Sequence, residues 1–189
     1  MADILYEVVR DYSTSIYHSI GKNDAFLHFH HQVELLYVEK GKVDVTINNE
    51  EEILQSGELA IIDCFDNHKF IHEEGAISHS MTIPVHFLKK YTMILNNKTL
   101  KEHFIIDKVK AKKIFDCMNN VANAINSNEL ILDGEIQILL GNIIDDNLVD
   151  EKNKTNYNLV KNILMYIEEN YKTQISLYTY FSPFSKFKS

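Results

Sequence analysis

The amino-acid sequence predicts a mainly β fold in its N-terminal half, followed by a C-terminal α-helical part. Short runs rich in β-branched and aromatic residues recur over residues 1–88, with turn signals about every 8–12 residues. Within one such run, Val43, Val45 and Ile47 alternate with polar residues, which is typical of a half-buried strand. After residue 88, apolar residues recur instead at three- and four-residue spacing, the period of amphipathic helices.

About eight strands are expected in the N-terminal block, which favours a β-sandwich or a β-barrel. Gly41 follows a long β-branched and aromatic run, and we expect it to form a hairpin turn. Asn48 and Asn49 predict a second turn. The runs that we assign to strands cover residues 3–9, 14–20, 28–40, 43–47, 53–54, 58–63, 70–72 and 77–83.

Two amphipathic helices are predicted next, over residues 108–126 and 129–149. The second is apolar over a wide arc, because Ile131 and Ile138 fall outside its main stripe. Two interpretations stay open. The helix is either buried against the barrel, or it packs on the barrel with one side and on a partner subunit with the other.

A polar stretch after the second helix indicates an interdomain linker. Asn158 can cap a third helix with apolar residues through Ile167. The predicted domains are therefore a barrel over residues 1–88, a helical segment over 89–150, and a linker with one helix and a tail over 151–189.

Composition argues against several function classes. The net charge of −8 gives no basic field for nucleic acid or an anionic membrane, and Arg10 is the only arginine. Cys64 and Cys117 form no paired motif, so we expect reduced thiols in a cytoplasmic protein. The N-terminus lacks the basic and apolar regions of a secretion signal.

Candidate site residues gather in the stretch that runs from His28 to Gly41. His28 and His30 lie two residues apart, so they share one face of a strand, and Glu34 could meet them from the next segment. Two imidazoles and a carboxylate can bind a divalent metal, or they can line a polar pocket for a small ligand. The residues alone leave both possibilities open.

The spacing His-x-His-x3-Glu-x6-Gly in this stretch resembles the first cupin motif. The second cupin motif is similar to the residues from Gly57 to His68, although Asp63 and Phe65 replace its Pro and second Gly, and His72 replaces a downstream Asn. The resemblance implies a cupin β-barrel of the jelly-roll type. It also implies a set of metal ligands made of His28, His30, Glu34 and His68.

Imidazole and carboxylate ligands suit Zn, Ni, Fe or Mn, and the sequence does not choose among them. The alternative is that these side chains hydrogen-bond to one another and form a polar pocket without a metal. We include His72 among the predicted pocket residues. His31 is expected to face away from the site, at the surface or an interface. No Gly-x-Ser-x-Gly motif or glycine-rich phosphate loop occurs in the sequence.

The architecture is similar to that of the arabinose-operon regulator (AraC/XylS) family of transcription factors. The residues that carry this resemblance are the His28–Gly41 stretch, the Tyr-Ile-Glu-Glu-Asn-Tyr sequence at 166–171 and the Ile-Ser-Leu sequence at 175–177. In that family the barrel binds a small effector, the helices after it form a dimer, and a C-terminal domain reads DNA. The resemblance implies a polar or sugar-like effector and a homodimer through helix 129–149.

The family's DNA-binding region is much longer than the 12 residues that follow Leu177, namely 178–189. A helix-turn-helix needs a second helix that reaches base edges. We therefore expect a truncated DNA-binding region and no sequence-specific DNA binding by this chain alone, unless a complete helix-turn-helix region is present. The alternative function is a small metal-dependent cupin enzyme of the dioxygenase or isomerase type.

Overall fold

The structure is a computed structural model that describes residues 5–6, 15–95, 98–145, 147–150, 163 and 166. The chain divides into two compact units, residues 1–150 and residues 151–189. Residues 163 and 166 are helical. The rest of the predicted third helix and the tail lie outside the described residues, as does most of the predicted strand at 3–9.

Among the residues that the structure describes, nine strands precede the helices. Their bounds are β1 Leu5–Tyr6, β2 Tyr17–Gly21, β3 Ala25–Phe29, β4 Val33–Lys40, β5 Lys42–Ile47, β6 Glu50–Gln55, β7 Leu59–Ile62, β8 His68–His72 and β9 Ile77–Ile83. A 3₁₀ turn at Val85–Phe87 follows, and the remaining elements are α1 Lys89–Ile94, β10 Lys98–Leu100, β11 Phe104–Ile105, α2 Lys108–Ala124, α3 Glu129–Ile144 and β12 Leu148–Asp150.

The strands form two five-stranded sheets and a small two-stranded ladder. The first sheet has the order β1-β3-β8-β5-β6, the second has the order β11-β7-β4-β9-β2, and β10 pairs with β12. This arrangement confirms the predicted β-barrel followed by helices. The second sheet also includes β11, which lies in the segment that we assigned to the helical part. The predicted domain bounds of 1–88 and 89–150 stay predictions.

Inward-facing residues of both sheets make an apolar cluster. Val43, Val45 and Ile47 alternate with exposed or half-buried neighbours along β5, as the sequence pattern predicts. Their buried partners are Leu36, Val38, Leu54, Ala60, Ile62 and Phe70. Cys64 and Cys117 are free thiols, as expected.

The predicted hairpin at Gly41 is wrong. β4 lies in the second sheet and β5 in the first, so Gly41 carries the chain from one sheet to the other. Its φ angle is +79°, and a Cβ atom there would lie 3.0 Å from the Cα atom of Ala76. Glycine is required because the chain turns sharply while it passes close to the segment between β8 and β9. Asn48, with φ of 55°, does lie in a hairpin turn between β5 and β6.

Both long helices begin at side-chain caps. The Asp107 carboxylate accepts hydrogen bonds from Val109 N and Lys110 N at the start of α2, and the Asn128 side chain accepts one from Ile131 N at the start of α3. Each helix buries one apolar side. The buried residues are Ala111, Ile114, Met118, Val121 and Ala124 in α2, and Ile136, Leu139, Leu140 and Ile143 in α3.

Helix α3 ends five residues earlier than predicted, at Ile144 rather than at residue 149. Asn147 explains the difference. It is fully buried, and its side chain accepts a hydrogen bond from Glu102 N and donates one to Glu102 O. These bonds fix the chain in an extended course, so Leu148 pairs with Leu100 in the β10–β12 ladder instead of extending the helix.

The wide apolar arc of α3 has two sides in the structure. One side is buried, whereas Leu130, Ile131 and Ile138 are 86%, 50% and 54% exposed. Among the helices that the structure describes, none combines the length and the apolar character needed to span a bilayer.

The crossing at Gly41 leads to a stability prediction. Gly41→Ala should lower the free energy of unfolding by more than the ~1–2 kcal/mol that a left-handed backbone costs an L-residue, because the new Cβ also meets Ala76 and the Glu73 carboxylate. Urea unfolding monitored by circular dichroism measures it. Gly75→Ala is the matched control, since Gly75 has φ of +76° with nothing within 4 Å of its Cβ position. Equal losses in both variants would contradict the close-approach explanation.

Candidate metal and ligand site

Four of the five predicted site residues meet at one place inside the barrel. His28 on β3 is the register partner of His68 on β8, so strand pairing in the first sheet sets these two side by side. His30 follows β3 directly, and Glu34 enters from β4 in the second sheet. All four side chains are buried, and each offers one ligand atom, with these atoms within 4.8 Å of one another.

The three imidazoles are in mutual contact. The ring centroids of His28 and His68 lie 4.1 Å apart, those of His30 and His68 lie 5.0 Å apart, and those of His28 and His30 lie 5.6 Å apart. The rings are tilted or edge-on to one another rather than stacked face to face. One nitrogen of each ring lies within 4.8 Å of the ligand atoms of the other site residues.

Backbone carbonyls orient two of these rings. Nδ1 of His28 lies 2.7 Å from Phe26 O, and Nδ1 of His68 lies 2.8 Å from Asp66 O. A carbonyl oxygen can only accept a hydrogen bond, so Nδ1 carries the proton in both residues. In the neutral ring Nε2 then keeps its lone pair, which is the arrangement that metal-ligating histidines use.

Glu34 links the two sheets through polar contacts. Its Oε1 atom accepts a hydrogen bond from the Ser80 hydroxyl at 2.7 Å, while Oε2 lies 3.1 Å from His30 Nε2 and 3.6 Å from His68 Nε2. Burial by itself would raise the pKa of Glu34, but the hydrogen bonds and the charge of His30 and His68 hold the pKa well below its usual range. Glu34 is thus a buried carboxylate in its charged form.

The donor set fits a divalent metal ion. His68 Nε2 and His30 Nδ1 are buried and have no hydrogen-bond partner within the described part of the chain. Three imidazole nitrogens and one carboxylate oxygen match the ligand preference of Zn, Ni, Fe and Mn. A cation here would also compensate the buried charge of Glu34. These four residues could hold the metal, with Ser80 and the two carbonyls as the groups that orient them.

His72, the fifth predicted pocket residue, lies four residues from His68, at the other end of β8, in a separate network. Its Nδ1 and backbone N lie 3.0 and 2.8 Å from the Asp24 carboxylate, and its Nε2 lies 2.7 Å from Ser78 Oγ. The order Asp–His–Ser matches the order of a hydrolase triad. Ser78 is fully buried, however, and is also bonded to Gly21 O, so these residues join the two sheets and present no accessible nucleophile.

The expectation that His31 lies at the surface or an interface is wrong. His31 is buried, and its ring stacks on Phe65 at 4.4 Å between centroids. The expectation assumed that β3 continues through residue 31, whereas the strand ends at Phe29 and the chain bends before β4. Strand alternation therefore does not apply to His31.

Sequence patterns missed three contributors to this interior, namely Ser80, Asp24 and Ser78. Ser80 contacts Glu34 only because β9 pairs with β4 in a register that sets Ser80 diagonal to it. Asp24 is distant in sequence from His72, and Ser78 lies across a turn from it. No local motif marks any of them, and only the strand register brings them to their partners.

A family model described as a cupin domain matches residues 20–82. The match covers β3 to β8 in full, most of β9 and the last two residues of β2, so the barrel is a cupin β-barrel. A search of curated proteins finds no match to the chain.

Solved structures show the same architecture beyond the barrel. The chain is similar to wild-type ToxT from Vibrio cholerae strain SCE256 with a bound unsaturated fatty acid, with 9% sequence identity, a TM-score of 0.54, and coverage of 92% of this chain and 70% of that chain. ToxT from Vibrio cholerae O395 bound to (E)-4-(8-methylnaphthalen-1-yl)but-3-enoic acid gives 10% identity and the same TM-score over 93% and 73% of the two chains. At this identity the likeness shows the fold alone.

The depressed pKa of Glu34 leads to a prediction about pH. A carboxyl group whose pKa is lower in the folded state stabilises the fold above its ordinary pKa of 4.5, and that contribution is lost as the pH falls toward the folded-state value. The difference in unfolding free energy between wild type and Glu34→Gln should therefore be largest at pH 5–6 and shrink toward pH 3.5. Urea unfolding at several pH values measures it.

Glu74→Gln is the control for that experiment, because Glu74 is an exposed turn residue. It should change the unfolding free energy by less than about 0.5 kcal/mol at every pH. A difference between wild type and Glu34→Gln that stays constant from pH 6 to pH 3.5 would show that the charge of Glu34 does not stabilise the fold.

Proposed function

We propose that this chain is the small-molecule-sensing and dimerisation part of an AraC-type transcription regulator that acts in the cytoplasm. The observation that carries the proposal is the extent of the fold shared with ToxT, which includes the helices as well as the barrel and covers 92% of this chain. The sequence patterns at His28–Gly41 and at 166–177, which resemble the AraC/XylS family, support the same function.

The effector would bind at the polar end of the barrel, near His28, His30, Glu34 and His68. ToxT was solved with an unsaturated fatty acid bound, which supports a small-molecule effector for this fold. In this chain the interior near β3 and β8 carries imidazoles and a carboxylate, so the effector proposed here is polar, such as a sugar or a small organic acid. A thermal-shift screen of such compounds, with an unsaturated fatty acid included, tests which class binds.

The exposed side of α3 would form the dimer. Leu130, Ile131 and Ile138 leave apolar surface in water on a helix whose other side is already buried. Apolar surface of this kind on a soluble chain favours association with a partner. In a homodimer each copy would present the same helix to the other.

Light scattering coupled to gel filtration measures the oligomeric state. Wild type should elute as a dimer at micromolar concentration. Ile138→Lys should shift it to monomer, because a lysine in a two-helix apolar contact loses its hydration. Val109→Lys is the matched control, since Val109 is 82% exposed on α2 and outside the proposed interface. A monomeric wild type, or equal behaviour of the two variants, would count against dimerisation through α3.

A second candidate function is a small metal-dependent cupin enzyme of the dioxygenase or isomerase type. The observation that favours it is the convergence of four buried metal-type ligands, His28, His30, Glu34 and His68. When bound there, a divalent metal would supply Lewis acidity or a redox centre. The chain's own residues would hold the ion and, through Ser80, keep the Glu34 carboxylate in place.

Elemental analysis of protein purified without chelator tests metal binding. One Zn, Ni, Fe or Mn ion per chain is expected, and His30→Ala should remove it because a buried ligand is lost. His86→Ala is the control, since His86 is exposed in the 3₁₀ turn outside the cluster. Metal with turnover of an organic substrate would favour the enzyme. A chain that carries no metal but shows a thermal shift with a small molecule would favour a sensor with a polar pocket.

A further inference from the structure

The loop between β7 and β8 lies directly behind the proposed site. Its residue Asp66 accepts the hydrogen bond from His68 Nδ1 through its backbone carbonyl, at 2.8 Å. Phe65, with φ of +63°, donates its backbone N–H to His30 O at 2.8 Å. The loop therefore contacts two of the four site residues, and it sets the direction of the His68 ring.

Internal hydrogen bonds make this loop a single unit. Asp66 N donates to Asp63 O at 3.0 Å, and Asp63 N donates to the Asp66 carboxylate at 3.1 Å. Both aspartates are buried. Each of these two residues is hydrogen-bonded to the other, so a shift of Asp66 that accompanies movement of the His68 ring would also shift Asp63.

The other side of the loop is attached to helix α1. Tyr91 is 1% exposed, and its hydroxyl donates a hydrogen bond to Asp63 Oδ1 at 3.1 Å. Burial, together with the charges of Asp63, Cys64 and Asp66, raises the pKa of Tyr91 well above its usual range, so the phenol stays protonated and remains a donor. This hydrogen bond joins the loop behind the site to α1.

From α1 the connection continues to α3. The 3₁₀ turn immediately before α1 presents Phe87 O, which accepts a hydrogen bond from Gln137 Nε2 at 3.2 Å. Gln137 lies on α3, the helix that carries the exposed apolar residues. His103, which directly precedes β11, also contacts the loop between β7 and β8: its Nδ1 lies 3.5 Å from the Asp66 carboxylate and 3.0 Å from the oxygen of Ile61 on β7.

We propose that Tyr91 is a positioning residue that couples occupancy of the His28–His30–Glu34–His68 cluster to helices α1 and α3. The inference rests on the proposed binding function of the cluster and adds the route by which binding reaches the helices. An ion bound at His68 Nε2 fixes the ring, the ring fixes Asp66 O, and the Asp63–Tyr91 bond passes the constraint to α1. Such a route is a contiguous hydrogen-bond chain between the site and an element that can move.

Hydrogen exchange on the full chain, with zinc ions alone as the probe, tests this coupling. In wild type, zinc should slow amide exchange both in the loop segment 63–68 and in the segment 89–95, which contains α1. In Tyr91→Phe, which removes only the hydroxyl, zinc should still slow exchange in 63–68 but no longer in 89–95. Zinc should also bind this variant about fivefold or more weakly, because coupling between two sites is reciprocal.

Tyr37→Phe is the matched control. It removes a hydroxyl from a residue that stacks on Phe115 of α2, outside the loop, and it should keep wild-type zinc affinity and protection of α1. Asp63→Ala removes the acceptor of the same hydrogen bond from the loop side. It should give the same separation of the two segments, so the test remains if Tyr91→Phe does not fold.

The outcomes separate this inference from the proposed function. Zinc protection of 89–95 in Tyr91→Phe equal to that in wild type, or unchanged zinc affinity, would overturn the role of Tyr91. Protection of 63–68 without any protection of 89–95 in wild type would overturn the coupling and leave metal binding intact. If zinc protects neither segment in wild type, the metal site itself fails, and the inference fails with it.

Discussion

The buried carboxylate of Glu34 is the constraint on which the polar end of the barrel depends. A charged group inside a protein is tolerated only where hydrogen bonds or opposite charge compensate its lost hydration. Here the hydrogen bonds come from His30, which follows β3, and from Ser80 on the second sheet, and Nε2 of His68 on the first sheet lies 3.6 Å from the carboxylate. Because Glu34 belongs to the second sheet, its contacts also hold the two sheets together. The contacts of Glu34 therefore stabilise the fold and also bring the potential metal-ligating residues together.

Strand β8 shows how the barrel separates this site from the rest of its interior. His68, Phe70 and His72 alternate inward along the strand, with Phe70 in the apolar cluster between the two histidines. Each histidine joins the sheets, His68 toward Glu34 and His72 toward Ser78. They differ in one respect: His68 keeps a buried nitrogen that has no hydrogen-bond partner in the described chain, while both ring nitrogens of His72 are hydrogen-bonded. Only the His68 end has bonding capacity left for a ligand.

Periodicity was enough to predict a mainly β half and the two helices, and the resemblance of the spacing to the cupin motifs implied the barrel and the four residues that the structure brings together. Properties that depend on register or on distant partners were not predictable. The crossing at Gly41 depends on which sheet receives β5, and the contact of Ser80 with Glu34 depends on the β4–β9 register. Helix α3 ends early because Asn147 finds backbone partners at Glu102, 45 residues away in sequence. The hydrophobic periodicity of a segment carries no information about partners that are distant in sequence.

The coordination number of a bound metal would distinguish a sensor from an enzyme better than the mere presence of a metal would. Structural zinc sites are tetrahedral and closed, whereas catalytic sites keep a position open for water or substrate. The four donors of this cluster, His28, His30, Glu34 and His68, would fill a tetrahedral shell completely. A metal that prefers more ligands, such as Fe(II), would keep positions open on the same four residues. All four side chains are buried, so a substrate or an effector would have to reach them inside the barrel. The hydrogen bonds that orient His68 run through Asp66 and Asp63 to Tyr91, so in the proposed sensor an ion held by all four residues would also constrain α1.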